Sequence, residues 1–593
     1  MAGVTIAPAP AALPSTDLRN DAPFGRETLI VFALAAVGGL VIAVIVAATH
    51  TLVGEMQTLL FGADVDVVGT GGVPPWRILT VTTLGGLVLG LALWLAGRLH
   101  RLSITDPVEA NALEGGRMSL GDSLVLVGLC SLSISIGGSV GFEAAMTQIG
   151  AGLLSVAGQR LGVSRRALRV LVACGTAAGI AAIFGAPLAG AVYALELVVG
   201  GYAVRALAPT LVAAAMSGLA THFIIGPNPI FPAAHVVGPA LWHYPFAVLV
   251  GVAGALVGIV VMRGTTTVEA VLARLPGPKA LRPVIGGAAL GGLAILVPVV
   301  TGPGHAGINT ILGHDATIGA LAAIVVAKAA ASVVCIGSGF RGGLFSASLF
   351  LGAAFGSLLH VAAVAPLLGP AEPSGLAVVT GMSAVAAAIV GTPLAIVLLA
   401  VETTGIHSGI VSVAIAVVVA NLLTKRWFGY SFSTWRFHVR GRDLTGPRDV
   451  GRLRELKLAD VPLADVPRFA EGLPVGEAAT ASRGTFALVV AVQDPNGAFR
   501  GLARRDRLLE TALCAPDTPI EALIEAVPAS AHIADAVADH VDAIAEGVAG
   551  VLPVLDAKGH LVGTVPERAV LKRYLDELLA ADRDDAGPME ARR

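Results

Sequence analysis

The chain has 593 residues, of which 55% are hydrophobic and only 13% charged, with a mean hydropathy of +0.80. That charged fraction is about half of what a soluble protein uses to cover its surface, which excludes an ordinary soluble protein. Acids and bases nearly cancel at a net charge of −2, so no nucleic-acid partner is indicated. Cys130, Cys174, Cys335 and Cys514 stand far apart with no CxxC pair, which argues against a disulfide framework or a thiolate metal site and for free thiols.

Residues 1–26, rich in Ala and Pro, lack a basic segment followed by an apolar core and are expected to form a cytosolic tail, not a signal peptide. Residues 27–440 carry the apolar weight. Thr28–Ala48, Leu79–Ala96, Phe246–Met262 and Val284–Val300 are long enough to cross a hydrocarbon layer of about 30 Å. Several shorter, interrupted runs suit helices that stop inside the membrane. Arg98, Arg101, Arg160, Arg165, Arg166, Arg169, Lys425 and Arg426 cluster in short connections, which places those connections on the cytoplasmic side. The expected fold is an all-α polytopic membrane domain followed by a polar cytoplasmic region.

The membrane region is duplicated. Gly175-Thr-Ala-Ala-Gly-Ile-Ala-Ala-Ile-Phe-Gly-Ala-Pro187 runs on to Glu196, and Gly381-Met-Ser-Ala-Val-Ala-Ala-Ala-Ile-Val-Gly-Thr-Pro393 runs on to Glu402. In both copies the proline follows the first glycine by 12 residues and the glutamate follows the proline by 9. Each copy reads as a glycine-rich turn leading into an apolar helix. Upstream, Gly141-Phe-Glu143 through Gly150 corresponds to Gly343-Leu-Phe345 through Gly352. Duplicated halves broken by Gly and Pro at matching places predict a transport pathway at the repeat interface.

Composition changes near Arg440, where charges become frequent. Two half-similar units follow, at 450–515 and 516–580. The first holds Phe486-Ala-Leu-Val-Val-Ala-Val-Gln-Asp494, Gly497 and Gly501. The second holds Val551-Leu-Pro-Val-Leu-Asp556, Gly559, Gly563 and a helix from about Glu567. Strand, Asp-x-x-Gly turn, strand and helix make a small α/β unit.

The ordered motifs Gly141-Phe-Glu143-Ala-Ala, Ala186-Pro-Leu-Ala-Gly190 with Glu196, Gly342-Gly-Leu-Phe345-Ser-Ala and Gly-Thr-Pro393-Leu with Glu402 resemble the CLC family of chloride channels and chloride/proton exchangers over about 75–435. The C-terminal pair resembles tandem CBS domains, which also occur in that family. The resemblance implies two inverted repeats, a homodimer in a lipid bilayer, chloride as cargo, protons as a second cargo in exchangers, and one anion pathway per subunit. Glu143 is similar to the family's gating glutamate. Anion binding is expected from the segment Ser103-Ile104-Thr105, from Gly141 and Phe142, from Gly343, Leu344 and Phe345, and from Ser433.

Bottom-up chemistry points the same way. A helix N-terminus offers unpaired N–H groups and about half a positive charge, which holds an anion without a full cation and lets it leave. Glycines at 137, 138, 141, 337, 339, 342 and 343 allow close approach of amides or, alternatively, tight helix packing. A carboxylate at Glu143 costs roughly 2.5–3.5 kcal/mol facing lipid, so it should face a pore, where it competes with the anion and leaves on protonation. Glu196 and Glu402, alike by symmetry, are expected to be structural. Lys328 raises the potential for anions or snorkels to an interface.

The chain departs from the family in several places. Anchoring on Pro107 puts Ile104 where the ion-coordinating serine belongs, and Ser433 falls at the central tyrosine, with Tyr430 three residues earlier. Leu197 replaces the internal glutamate of exchangers, which favours a channel over an antiporter. In the CBS-like pair, Arg507 and Ala569 stand where nucleotide-binding units carry an Asp, with Asp506 one place early. Nucleotide is therefore not favoured there, and no cofactor is expected. A CBS-linked cation transporter would need converging carboxylates, and a membrane sensor would tolerate loss of Glu143. No nucleophile–base pair or metal spacing suggests an enzyme.

Overall fold

The computed structural model describes residues 25–63, 69–99, 105–226, 230–231, 240–313, 316–368, 375–439, 456–525, 530–574 and 576. The chain divides into two compact units, one ending at Pro447 and one beginning at Arg448. All but the end of the tail predicted at 1–26 lies outside the described residues.

Among the described residues the first unit is built of helices. In order it contains α1 (Arg26–Phe61), α2 (Pro75–Leu99), α3 (Pro107–Leu113), α4 (Leu120–Ser135), α5 (Glu143–Arg160), α6 (Arg165–Phe184) and α7 (Pro187–Ala194), which continues as a π turn over Leu195–Val199. Then come α8 (Val204–Ile225), α9 (His243–Arg274), α10 (Arg282–Leu296), α11 (His305–Gly313), α12 (Ile318–Ser338) and α13 (Phe345–Leu359). The unit closes with α14 (Gly375–Val390), α15 (Pro393–Thr404), α16 (Ile410–Trp427) and α17 (Phe432–Val439). Among the described residues nine helices are long and apolar enough to cross a membrane. The predicted run to Val300 stops at Leu296, because Pro298 opens a 3₁₀ turn over Pro298–Val300 and cannot continue the helix.

The duplication is visible as two helix pairs, α5 with α6 and α13 with α14. Here the structure corrects the sequence reading. Gly175 and Gly381 lie inside α6 and α14, not in turns. Each is a crossing point: a Cβ on Gly175 would strike the carbonyl of Gly150, and one on Gly381 the carbonyl of Gly352. Small residues here let two backbones touch, which is how membrane helices pack without a hydrophobic drive. The turns come ten residues later, at Gly185 (φ +57°) and Gly391 (φ +83°), where the left-handed backbone favours glycine. Pro187 and Pro393 then open α7 and α15, the position where a missing N–H costs nothing.

Glu196 and Glu402 form a reciprocal clasp. The Glu402 carboxylate accepts hydrogen bonds from the N–H groups of Leu188 (3.0 Å) and Ala189 (2.8 Å) at the start of α7. The Glu196 carboxylate accepts from Leu394 (3.2 Å) and Ala395 (3.0 Å) at the start of α15. Neither helix has a side-chain cap at its own N-cap residue. Each glutamate thus satisfies the orphan donors of the other repeat, the structural task that symmetry suggested.

The second unit holds two three-stranded sheets of identical topology. In the first, β1 (Arg468–Ala470) runs parallel to β2 (Val489–Gln493), which is antiparallel to β3 (Phe499–Arg504). In the second, β4 (Ala531–His532) is parallel to β5 (Val551–Leu555), which is antiparallel to β6 (Leu561–Pro566). Asp494 and Asp556 build the hairpin turns: each Oδ1 accepts backbone N–H groups two and four residues on. The chain crosses between halves on both sides of the expected division. Leu456, Leu458 and Val461 pack with Leu552, Val554 and Val565 of the second sheet, while Ile520 packs with Val490 and Val492 of the first and with Leu508 on the helix that follows it. Each α/β core, CBS-like in its strand–hairpin–helix order, is closed by a segment from across the midpoint.

Candidate anion pathway

The segments before α5 and α13 lie antiparallel and exchange hydrogen bonds, Gly141 N–H to the Gly343 carbonyl (2.9 Å) and Gly343 N–H to the Gly141 carbonyl (3.1 Å). This pairing brings two helix N-termini from different repeats together. Phe142 and Leu344 are the N-cap residues and neither caps its helix, so the first amides are left for another acceptor.

That acceptor is Glu143, only 2% exposed. Its Oε1 accepts a hydrogen bond from the backbone N–H of Ser346 at 3.1 Å and another from the Ser346 hydroxyl. Its Oε2 has no hydrogen-bond partner among the described residues. The carboxylate therefore sits on the N-terminus of α13, the helix of the opposite repeat, although it belongs to α5. Gly141 makes room for it, since a Cβ there would overlap the carboxylate. A charged oxygen seated on free amides at a helix start is the arrangement that a small anion would otherwise adopt.

Below this contact lies a cavity of about 320 Å³ lined by Glu143, Gly343, Leu344, Phe345 and Ser433, together with Asp106, Glu109, Tyr193, Leu197, Arg341 and Arg436. The structure thus brings five predicted residues to one space. It places others elsewhere. Ser103 and Ile104 lie outside the described residues. The Thr105 carbonyl accepts from Gln148 Nε2 at 3.0 Å, and Thr105 lines a separate recess with Gln148, Glu114 and Arg117. Gly141 and Phe142 flank the cavity without lining it; the Phe142 ring faces His50 at 5.7 Å. Tyr430 stacks on His438 (4.6 Å) and its hydroxyl meets His438 Nδ1 at 3.1 Å, away from the cavity.

Lys328 does not snorkel. It is fully buried, its Nζ donates to the carbonyls of Val300 (3.1 Å) and Gly302 (2.8 Å), and it lies over the Phe350 ring at 5.3 Å. The glycine readings divide as well. Gly337 serves packing against Val268, whereas Gly141 and Gly343 shape the site.

Sequence reasoning missed Tyr193, on α7, which is buried with its ring 5.7 Å from Phe345 and lines the cavity. It also missed Ser346 and His305, whose Nε2 lies 3.2 Å from the Ser346 hydroxyl. Among the described residues no cluster of three His, Cys, Asp or Glu could hold a metal ion.

A duplicated membrane fold with helix N-termini from two repeats meeting at a buried carboxylate defines a narrow class of membrane protein. The family profile described as voltage gated chloride channel matches residues 85–425, and the chain belongs to that family, the CLC proteins. A ClcB-like chloride channel protein of Ralstonia nicotianae is 34% identical over 356 residues, spanning 59% of this chain and 83% of the relative. The voltage-gated ClC-type chloride channel ClcB of Salmonella typhimurium is 30% identical over 399 residues, 66% of this chain and 95% of the relative. Among solved structures, a slow cyanobacterial Cl⁻/H⁺ antiporter is similar with a TM-score of 0.60 at 23% identity, over 70% of this chain and 98% of that one. A eukaryotic CLC transporter has a TM-score of 0.58 at 17% identity, over 92% of this chain and 99% of that one. These two likenesses concern the fold.

Proposed function

We propose that the chain conducts chloride, and small anions like it, across a membrane along a pathway gated by Glu143. The observation that carries this reading is the Glu143 carboxylate seated on the Ser346 N–H, in the place of an anion. Protonation removes its charge, frees the amides of α13 and admits the anion. The amides of Leu344 and Phe345 and the hydroxyl groups of Tyr193 and Ser433 are the donors that the cavity offers to an ion moving on.

A channel is the first reading, because Leu197 lines the cavity where exchangers carry a proton-bearing glutamate. A proton-coupled antiporter is the second, favoured by Asp106 and Glu109 in the same cavity, either of which can carry a proton toward Glu143. The protein is taken to be a homodimer in the cell membrane with its C-terminal unit in the cytoplasm. The CBS-like pair is taken as a structural platform, without bound nucleotide. Asp506 is held by Arg504 (Nε 3.1 Å), and Ala569 packs on the second core.

The test is chloride efflux from proteoliposomes with simultaneous proton recording, for wild type and Glu143→Gln. Efflux without proton movement identifies the channel. Proton movement that follows chloride and disappears in Glu143→Gln identifies the antiporter. No anion flux in either protein would exclude both.

A further inference from the structure

We propose that His305 exchanges protons with Glu143 through the hydroxyl of Ser346, a relay that enters the gate from outside the anion cavity; the proposal rests on the reading of Glu143 as the gate.

Three atoms make the path. His305 Nε2 lies 3.2 Å from Ser346 Oγ, and Ser346 Oγ donates its proton to Glu143 Oε1. With its one proton committed to the carboxylate, the hydroxyl can only accept from the imidazole. His305 Nε2 is therefore the donor, and the tautomer follows from the network. The ring is held in that direction by two aromatic neighbours, Phe184 at 6.4 Å and 63° and Phe231 at 5.6 Å and 66°. Phe231 is itself fixed by its N–H on the Thr403 carbonyl at 2.9 Å. His305 is half-buried and does not line the cavity that holds Glu143, so proton and anion reach the carboxylate from different sides.

The electrostatic setting disfavours a charge resting on the imidazole, through burial first and then through His50 and Lys328, so His305 passes a proton without storing it. The two helices packed against α11 are α13 and α14, and neither carries a charged side chain. The groups that face His305 from elsewhere are His50 on α1 and Lys328 on α12, the latter occupied by two carbonyls. Beyond the Ser346 hydroxyl stands Glu143.

The step balances. A protonated His305 gives its Nε2 proton to Ser346 Oγ as that oxygen passes its own proton to Glu143 Oε1. The products are a neutral imidazole, an unchanged hydroxyl and a neutral carboxylic acid, which no longer competes for the α13 amides. Return of the carboxyl reverses each transfer and leaves the imidazole protonated, and His305 then exchanges that proton with water.

The experiment is chloride efflux from proteoliposomes of the full chain as a function of pH. The proteins compared are wild type, Ser346→Ala, His305→Ala and each of these on a Glu143→Gln background. Ser346→Ala keeps the backbone N–H that binds the carboxylate and removes a single oxygen. Wild-type efflux should rise as pH falls. Both single variants should lower the proton-dependent part about a hundredfold, the low end for a positioned proton donor. Added imidazole should restore His305→Ala and leave Ser346→Ala slow, and on the Glu143→Gln background both substitutions should be silent. Wild-type profiles in the two single variants overturn the relay. So does a His305→Ala defect that imidazole leaves unrepaired and that persists with Glu143→Gln, because that marks a packing role. If Glu143→Gln itself keeps the wild-type pH profile, the gate reading fails instead. Should His305→Ala not fold, Ser346→Ala decides.

Discussion

The gating role proposed for Glu143 depends on a carboxylate that rests on backbone donors, not on a cation. A guanidinium in that place would hold the carboxylate, and then the anion, too firmly for rapid exchange. Gly141 is as much a part of this as the glutamate. Gly141→Ala puts a methyl group in the volume of the carboxylate, so the carboxylate must leave the α13 amides. The expected result is chloride efflux that has lost its pH dependence, as in Glu143→Gln, and proteoliposome efflux at two pH values checks it. Glu143, Gly343, Leu344 and Phe345 were expected from the resemblance of their motifs to the CLC family, and they line one cavity. Tyr193 was not. It sits in Pro-Leu-Ala-Gly-Ala-Val-Tyr-Ala, an apolar stretch whose composition hides which face turns to the cavity. His305 escaped for another reason: its partners, Ser346 and Glu143, lie on other helices and only the fold joins them.

At the scale of the element, the repeat spacings of 12 and 9 residues foretold two matching short helices but not what they do to each other. Glycines read as turns proved to be crossings, because glycine serves both and local sequence does not say which. The clasp between Glu402 and the start of α7 is testable on stability. The pair is partly exposed, so its worth is about 1 kcal/mol, the upper range for a carboxylate at an exposed helix N-terminus. Glu402→Ala should lower the unfolding midpoint in detergent, and Glu402→Gln, which keeps one acceptor, should lower it less. Equal midpoints for all three proteins would deny the clasp any energetic part.

For the molecule as a whole, composition alone separated a membrane part from a polar part, and periodic glycines showed the duplication. The exchange of segments between the two C-terminal cores was beyond reach, since residues 456–461 carry nothing local to say which sheet they join. That unit should be acid-sensitive. Arg504 beside Asp506 pulls its carboxyl down to about 2. Asp535, Asp556 and Glu521 are lowered by backbone donors at His532, His560 and Gly472. Native carboxylates that release protons more readily than the unfolded chain stabilise above the unfolded value, near 4, and lose that contribution as pH falls toward 2. A reporter on Cys514, the exposed free cysteine, should show an unfolding midpoint that is level from pH 7 to about 5 and falls below about 4; Asp506→Asn should flatten the fall. The reciprocal glutamates carry a further meaning, about descent. Neither repeat can complete its own short helix, yet each supplies what the other lacks, on identical terms. A half-length forebear could therefore have met the requirement by pairing with a copy of itself, and fusion of the two copies would have changed the connectivity of the clasp without changing its chemistry.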